Sequence, residues 1–317
     1  MVCSGRMPGI SRLGERCCGC GACAAACPHG CIHMVADACG FEHPSVNPLQ
    51  CACCGGCERV CPVIHSPDIP KDACHSAWWM HARDASVVST SSSGGVFGLL
   101  ASSVLNQGGL VCGAAMEGSC ARVSHVLVGD TQSLGAVMGS KYVQNTISAQ
   151  VYERVAKALC GGRKVLFSGC GCQVAAMRAY LAVKHVPCGG FLGVEVICHG
   201  VPAPTLWGAW IAHVAAQMRE PIARVNFRDR VLCGGTDLES IARGNPSMMA
   251  PTSPHRQRPA FLEAVARGAP IGEMVHAWPF RHGIAGWATA LLRFLARKWG
   301  CRLMRSGNWS IGLARLP

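Results

Sequence analysis

Two short cysteine runs constrain this chain more than any other feature. The string CCGCGACAAACP (17–28) and the string CACCGGCERVCP (51–62) each hold the spacing C-x2-C-x2-C-x3-C-P. In the first it is filled by Cys17, Cys20, Cys23 and Cys27, and in the second by Cys51, Cys54, Cys57 and Cys61. Three thiolates held two residues apart point inward from one tight loop. Gly19, Gly21, Gly55 and Gly56 help that loop to curl, because they carry no Cβ.

This is the ferredoxin spacing for two [4Fe–4S] clusters, in which the fourth cysteine of each run crosses to the other cluster. One cluster is therefore expected on Cys17, Cys20, Cys23 and Cys61, and the other on Cys51, Cys54, Cys57 and Cys27. Cysteines two residues apart also build structural zinc sites. Zinc would need only two pairs, whereas two complete triplets, each with a distal Cys-Pro, favour clusters. Cys18 and Cys53 lie inside the runs but off the spacing, and read as bystanders.

The chain has 317 residues, half of them hydrophobic, enough for one large domain or two. Its 23 cysteines would suggest a disulfide scaffold in a short secreted protein. Here the N-terminal stretch MVCSGRMPGISRLGER has no apolar signal core, and a reducing, cytoplasmic setting is expected. No stretch approaches the roughly twenty apolar residues of a membrane span. The richest, 96–105 and 284–295, are interrupted by serines or by Arg293. The formal charge of +12 counts the cluster thiols as neutral, and no basic helix carries interleaved aromatics, so nucleic-acid binding is not expected.

Between the runs, Ile32, Met34 and Phe41 alternate around a turn signal near residues 37–40, which reads as a hairpin. His29, His33 and His43 read as hairpin or surface residues. HSPDIPKDA reads as a linker, which ends a small cluster domain near residue 70. Residues 71–230 alternate strand and helix signals: a helix opened by SSSGG, with serines capping its first turn, then strands LVCGAAM and SHVLVG. After these come helix AQVYERVAKALC, strand KVLFS, a turn GCGC, helix QVAAMRAYLA, strand FLGVEVICHG, helix PTLWGAWIAHVAAQM and strand IARVNF. Small residues that lead from a strand into a helix N-terminus form a cradle for a diphosphate or a flavin edge. Trp207, Ile211 and Val214 form a stripe that reads as core. Cys198 and His199 lie at a strand end, where α/β sheets hold ligands. The fold class expected is α+β and α/β: a small ferredoxin-like 2[4Fe–4S] domain (1–70) followed by an α/β domain (71–230), whose strand-to-helix cradle is equally the signal of ordinary tight packing.

The ordered strings DACGFEHP (37–44), SSSGGVF (91–97), GSKYVQ (139–144), LFSGCGCQVA (166–175), ICHGVP (197–202) and NFRD (226–229), taken with the cysteine runs, resemble the coenzyme F-420 hydrogenase/dehydrogenase beta-subunit family over about residues 15–230. The resemblance implies an FAD site on Ser92, Ser93, Gly94 and Gly95, on Ser140, Lys141 and Tyr142, and on Ser168, Gly169 and Gln173. A cation such as Lys141 beside a flavin stabilises the anionic reduced ring or holds phosphate. The resemblance also implies electron relay between a ferredoxin or partner subunit, the clusters and FAD, with a deazaflavin coenzyme as hydride acceptor. A different class of reading is an electron-transfer module whose second domain only docks, and a third is an inactive truncated product.

Two departures stand out. The GCGCQ string has Cys170 and Gly171 where family members often carry threonine and proline. Beyond residue 230 no family string follows, and residues 231–317 read as an atypical tail, out of frame or partly disordered.

Overall fold

The computed structural model describes residues 7–65, 80–198, 200–219, 221–227 and 249–251. The linker 66–79, His199, the RD of the NFRD string and all of the tail except 249–251 lie outside the described residues.

The cysteine runs fold as turns with one short helix each. α1 (Ala22–Ala26) begins after Gly21 and α2 (Gly56–Arg59) after Gly55, and both glycines are left-handed, at φ 74° and 72°. Between them the expected hairpin forms, with β1 (Ile32–Ala36) antiparallel to β2 (Glu42–Val46) and Ile32 opposite Val46. The Asp37 carboxylate organises the turn by accepting the N–H groups of Cys39 and Phe41 at 2.9 and 2.8 Å. It also meets the His43 ring at 3.0 Å, from β2 opposite Val35, so His43 is a hairpin residue.

α3 (Ala85–Ser89) precedes α4 (Val96–Asn106). Next come β3 (Leu110–Met116), β4 (Val123–Val128) and β5 (Asn145–Thr146), then α5 (Ala149–Cys160), β6 (Val165–Cys170) and α6 (Gly171–Val183). β7 (Phe191–Val196), α7 (Pro204–Met218) and β8 (Ile222–Val225) follow, and β8 pairs with β9 (Met249–Pro251). The central sheet runs β5-β4-β3-β6-β7. It is mixed: β3–β4 is antiparallel, whereas β4–β5, β3–β6 and β6–β7 are parallel. The protein thus combines helices with a mixed sheet, and no helix among the described residues is long and apolar enough to cross a membrane.

Two local expectations change. α4 is capped by the backbone of left-handed Gly95, at φ 81°, with no serine side chain on its first turn. The serines bond elsewhere, Ser91 to the Val87 carbonyl and Ser92 to the Ser140 N–H. The GCGC segment is not a turn. Gly169 and Cys170 finish β6, and Gly171 already opens α6. A Cβ on Gly171 would meet only the flexible end of the exposed Glu195 side chain on β7, which can swing aside.

The thiol module has no core of its own on one side. Ala22, Ala25, Ala26 and Val60 share a hydrophobic cluster with Tyr152, Val155, Leu159, Met177 and Leu181 of α5 and α6. The Tyr152 hydroxyl donates to the Cys20 carbonyl at 2.9 Å, so the first cysteine loop is bolted to α5 through a buried hydrogen bond. Trp207 and Ile211 are core, as their spacing indicates, and pack with Phe227 under β4.

Candidate functional site

One cavity of about 240 Å³ opens at the carboxyl ends of β6 and β7. Nine of the ten residues expected to hold the flavin line it. Ser92, Ser93 and Gly95 come from the turn before α4, Ser140, Lys141 and Tyr142 from the loop before β5, and Ser168, Gly169 and Gln173 from β6 and α6. The tenth, Gly94, lies behind the wall. A Cβ there would meet the Met80 carbonyl at 2.6 Å, so its smallness serves packing. Parallel α/β sheets place ligands at this end of their strands, because the helix N-termini and connecting loops gather there.

The polar side of the cavity is a single hydrogen-bonded network. Gln173 accepts the Cys170 N–H through Oε1 at 2.9 Å, which leaves Nε2 to donate to Asn145 Oδ1 at 2.7 Å. That fixes Asn145 with its oxygen toward His125, whose Nδ1 lies 3.0 Å away. On the other side His125 Nε2 lies 2.9 Å from the Ser168 carbonyl. Both ring nitrogens therefore face acceptors, and a neutral imidazole can donate to only one of them. Burial pushes the His125 pKa down, against the pull of these two acceptors. The ring, stacked on Phe167 with centroids 5.2 Å apart, is one proton short of satisfying its surroundings. His125 and Asn145 were missed in the sequence. Their only signal was His125 falling on the inward face of SHVLVG, which is equally the signal of an ordinary core position.

Lys141 leans back over its own loop, donating from Nζ to the Met138 and Gly139 carbonyls at 2.7 and 3.3 Å. Burial lowers its pKa to about 8. Opposite these groups the wall is apolar, formed by Phe97, Leu100, Val137, Met138 and Val194.

The expected cluster cysteines fall into two neighbourhoods that mix the two runs. Cys17, Cys23, Cys51, Cys57 and Cys61 are buried in one hydrophobic cluster, with Cys27 packed against it. Burial, together with the neighbouring thiols Cys17, Cys61 and Cys57, pushes the Cys23 thiol up to about 12. The Cys27 and Cys31 sulfurs lie 3.4 Å apart, and Cys31 in turn neighbours Cys51. Cys61 of the second run thus stands with Cys17 and Cys23 of the first, and Cys27 of the first stands on the Cys51 side. Cys54 is exposed beside Cys57. Cys20 faces the α5 side, next to Cys18 and Cys23. Cys31, which no spacing rule selected, enters the second neighbourhood because β1 starts there.

Among the described residues no three Cys, His, Asp or Glu side chains converge tightly enough to hold a single metal ion. The ligands of a cubane stand farther apart than those of one ion, since they surround four metal atoms. An all-thiol donor set in apolar surroundings, on loops turned by left-handed Gly19, Gly21 and Gly55, fits such a group. Cys53 is disulfide-bonded and is withdrawn from thiol chemistry. No protein-family model matches the chain, and no curated protein matches it either.

Proposed function

We propose that this chain is an iron–sulfur flavoprotein oxidoreductase of the F-420 hydrogenase/dehydrogenase beta-subunit kind. It would relay electrons between a ferredoxin-like donor or partner subunit, two [4Fe–4S] clusters and FAD, with a deazaflavin coenzyme as the hydride acceptor that the resemblance implies. The observation that carries the reading is one of placement. Residues chosen from three separate sequence strings share one cavity, and the helix that closes it, α6, is also the helix on which the thiol module packs.

Cys17, Cys20, Cys23 and Cys61 would hold one cluster, and Cys51, Cys54, Cys57 and Cys27 the other. A bound flavin supplies the junction between single-electron transfer and two-electron hydride transfer. The chain's own part is to position and to balance charge. The apolar wall excludes water from one face of the cavity, and the Ser92–Ser140 bond holds two of its loops together. Lys141 places an ammonium where negative charge would arrive. His125, with acceptors at both nitrogens, takes up a proton when that charge comes and keeps it at Nδ1 or Nε2. The cavity is smaller than the ~300–1,000 Å³ of pockets that enclose a drug-sized ligand. It therefore suits the ring of a flavin, with the adenosine half lying outside.

Anaerobic purification with iron, sulfide and released-flavin assays on one sample tests the reading. About eight irons and one flavin per chain are expected. Eight irons without flavin would leave only an electron-transfer module, and a sample with neither would overturn the proposal.

Lys141 gives the site a pH dependence. Its folded pKa of about 8 lies below the unfolded value near 10.4, so it carries its charge below about pH 8 and loses it above. Flavin affinity is expected to fall about tenfold as pH rises through that value, the scale of one lost charge-assisted bond. Lys141→Met should flatten the titration, and an unchanged slope in that variant would remove Lys141 from the flavin site.

A further inference from the structure

Cys31 is a buried thiol that the cluster spacing does not select, and it stands against one that the spacing does. The string CPHGC (27–31) doubles back in a single turn. Gly30, at φ +60°, donates its N–H to the Cys27 carbonyl at 3.4 Å. That turn brings the Cys31 sulfur to 3.4 Å from the Cys27 sulfur, where either thiol can donate to the other. The two differ in shelter, since Cys31 is 2 % exposed and Cys27 is only half-buried.

The backbone ties Cys31 to the second cysteine run as well. Asn47 donates its N–H to the Cys31 carbonyl at 2.8 Å, and the Asn47 carbonyl accepts the Cys51 N–H at 3.1 Å. One residue therefore fixes the chain at the start of β1 against the first cysteine of the second run, and Cys31, Cys51 and Cys57 share one hydrophobic cluster. A buried free cysteine ordinarily serves as a small apolar filler. Filling space does not require contact with another sulfur, and here the sulfur touched belongs to the residue that crosses from the first run to the second cluster.

We propose that Cys27 and Cys31 are interchangeable ligands for one corner of the cluster built on Cys51, Cys54 and Cys57, so that Cys31 holds that corner when the Cys27 sulfur is lost. The inference rests on the cluster reading given above. Sulfurs 3.4 Å apart on one turn compete for the same place, and a cysteine moves its sulfur by rotation about the single torsion χ1. In the exchange the Cys31 thiol loses its proton as its bond to iron forms. Where Cys27 is still present, its sulfur takes up that proton as its own bond to iron breaks, and no electron is transferred. The thiol not in use donates to the bound sulfur, the kind of hydrogen bond that helps to set a cluster's reduction potential. Oxidation of cysteine follows exposure, so the ligand more open to damage has a sheltered replacement four residues on.

The test counts iron and sulfide per chain, with electron paramagnetic resonance of the reduced sample, on the full chain purified anaerobically. The unaltered chain, Cys27→Ala and Cys31→Ala are each expected to hold about eight irons, and Cys27→Ala combined with Cys31→Ala about four. The resonance of one cluster should change in Cys27→Ala, because its fourth thiolate then comes from another residue. A fall to about four irons in either single variant would overturn the proposal, as would about eight in the double variant. An unaltered chain without iron would instead overturn the cluster reading, and this inference with it. Should Cys27→Ala hold no iron at all, the smaller change Cys27→Ser, with and without Cys31→Ala, is judged by the same counts.

Discussion

A chain carrying Cys61→Ala is expected to fall from about eight irons to about four, and the cluster it loses is the one built mainly from the first cysteine run. The reason is spatial. Cys61 is 34 or more residues from Cys17, Cys20, Cys23 and Cys27 along the sequence, yet it stands against Cys23, beside Cys17, in the buried thiol cluster. Cys18→Ala is the matched control. Its thiol lies outside the cluster spacing, against Cys172 and Cys20, so this variant removes a neighbouring thiol but no ligand and should keep all of its iron. Iron and sulfide assays on anaerobically purified protein, with spectroscopy of the reduced sample, read the result. Full iron content in Cys61→Ala would sink the crossed assignment, and equal losses in both variants would show that the assay follows general damage to the loop.

The second large effect is on stability. Gly21→Ala is expected to cost about 3 kcal/mol, from two separate causes. Gly21 has φ +74°, a conformation that costs an L-residue ~1–2 kcal/mol. In addition, its new Cβ would lie 2.6 Å from the Ile147 carbonyl oxygen, a backbone atom that cannot swing aside. Because this loop seats the first cysteine run on α5 and α6, the variant should also bleach its clusters at a lower denaturant concentration. Gly30→Ala separates the two causes, since Gly30 has φ +60° but nothing within 4 Å of the added carbon. It should show only the backbone cost, about a third to a half of the effect. If the two variants proved equally stable in matched urea scans, the close approach of Ile147 would not be what holds the module on the sheet.

Where order is local, the sequence was legible. The alternation of Ile32, Met34 and Phe41 around Asp37 is a hairpin because strand period and turn chemistry act within a few residues. The strands and helices of residues 110–225 follow for the same reason. The two misread segments are those where a close neighbour overrode local preference. Gly95 caps α4 in place of a serine, because Ser92 is engaged by Ser140, 48 residues away. GCGC passes straight from strand to helix, because β6 stays paired with β7 as far as Cys170 opposite Val196 and the Gln173 side chain then accepts the Cys170 N–H.

The sequence by itself determined the cysteine spacing, the order of strands and helices, and the identity of nine residues that line the cavity. Tertiary structure alone decided which thiols meet. It set Cys61 beside Cys17 and Cys23 and drew Cys31 toward Cys27. It also assembled His125, Asn145, Ser168 and Gln173 into one network. Spacing within a loop is a short-range property of the backbone. Contacts between loops exist only after β6, β7 and α6 have packed, when burial makes each polar group find a partner that no local pattern could announce.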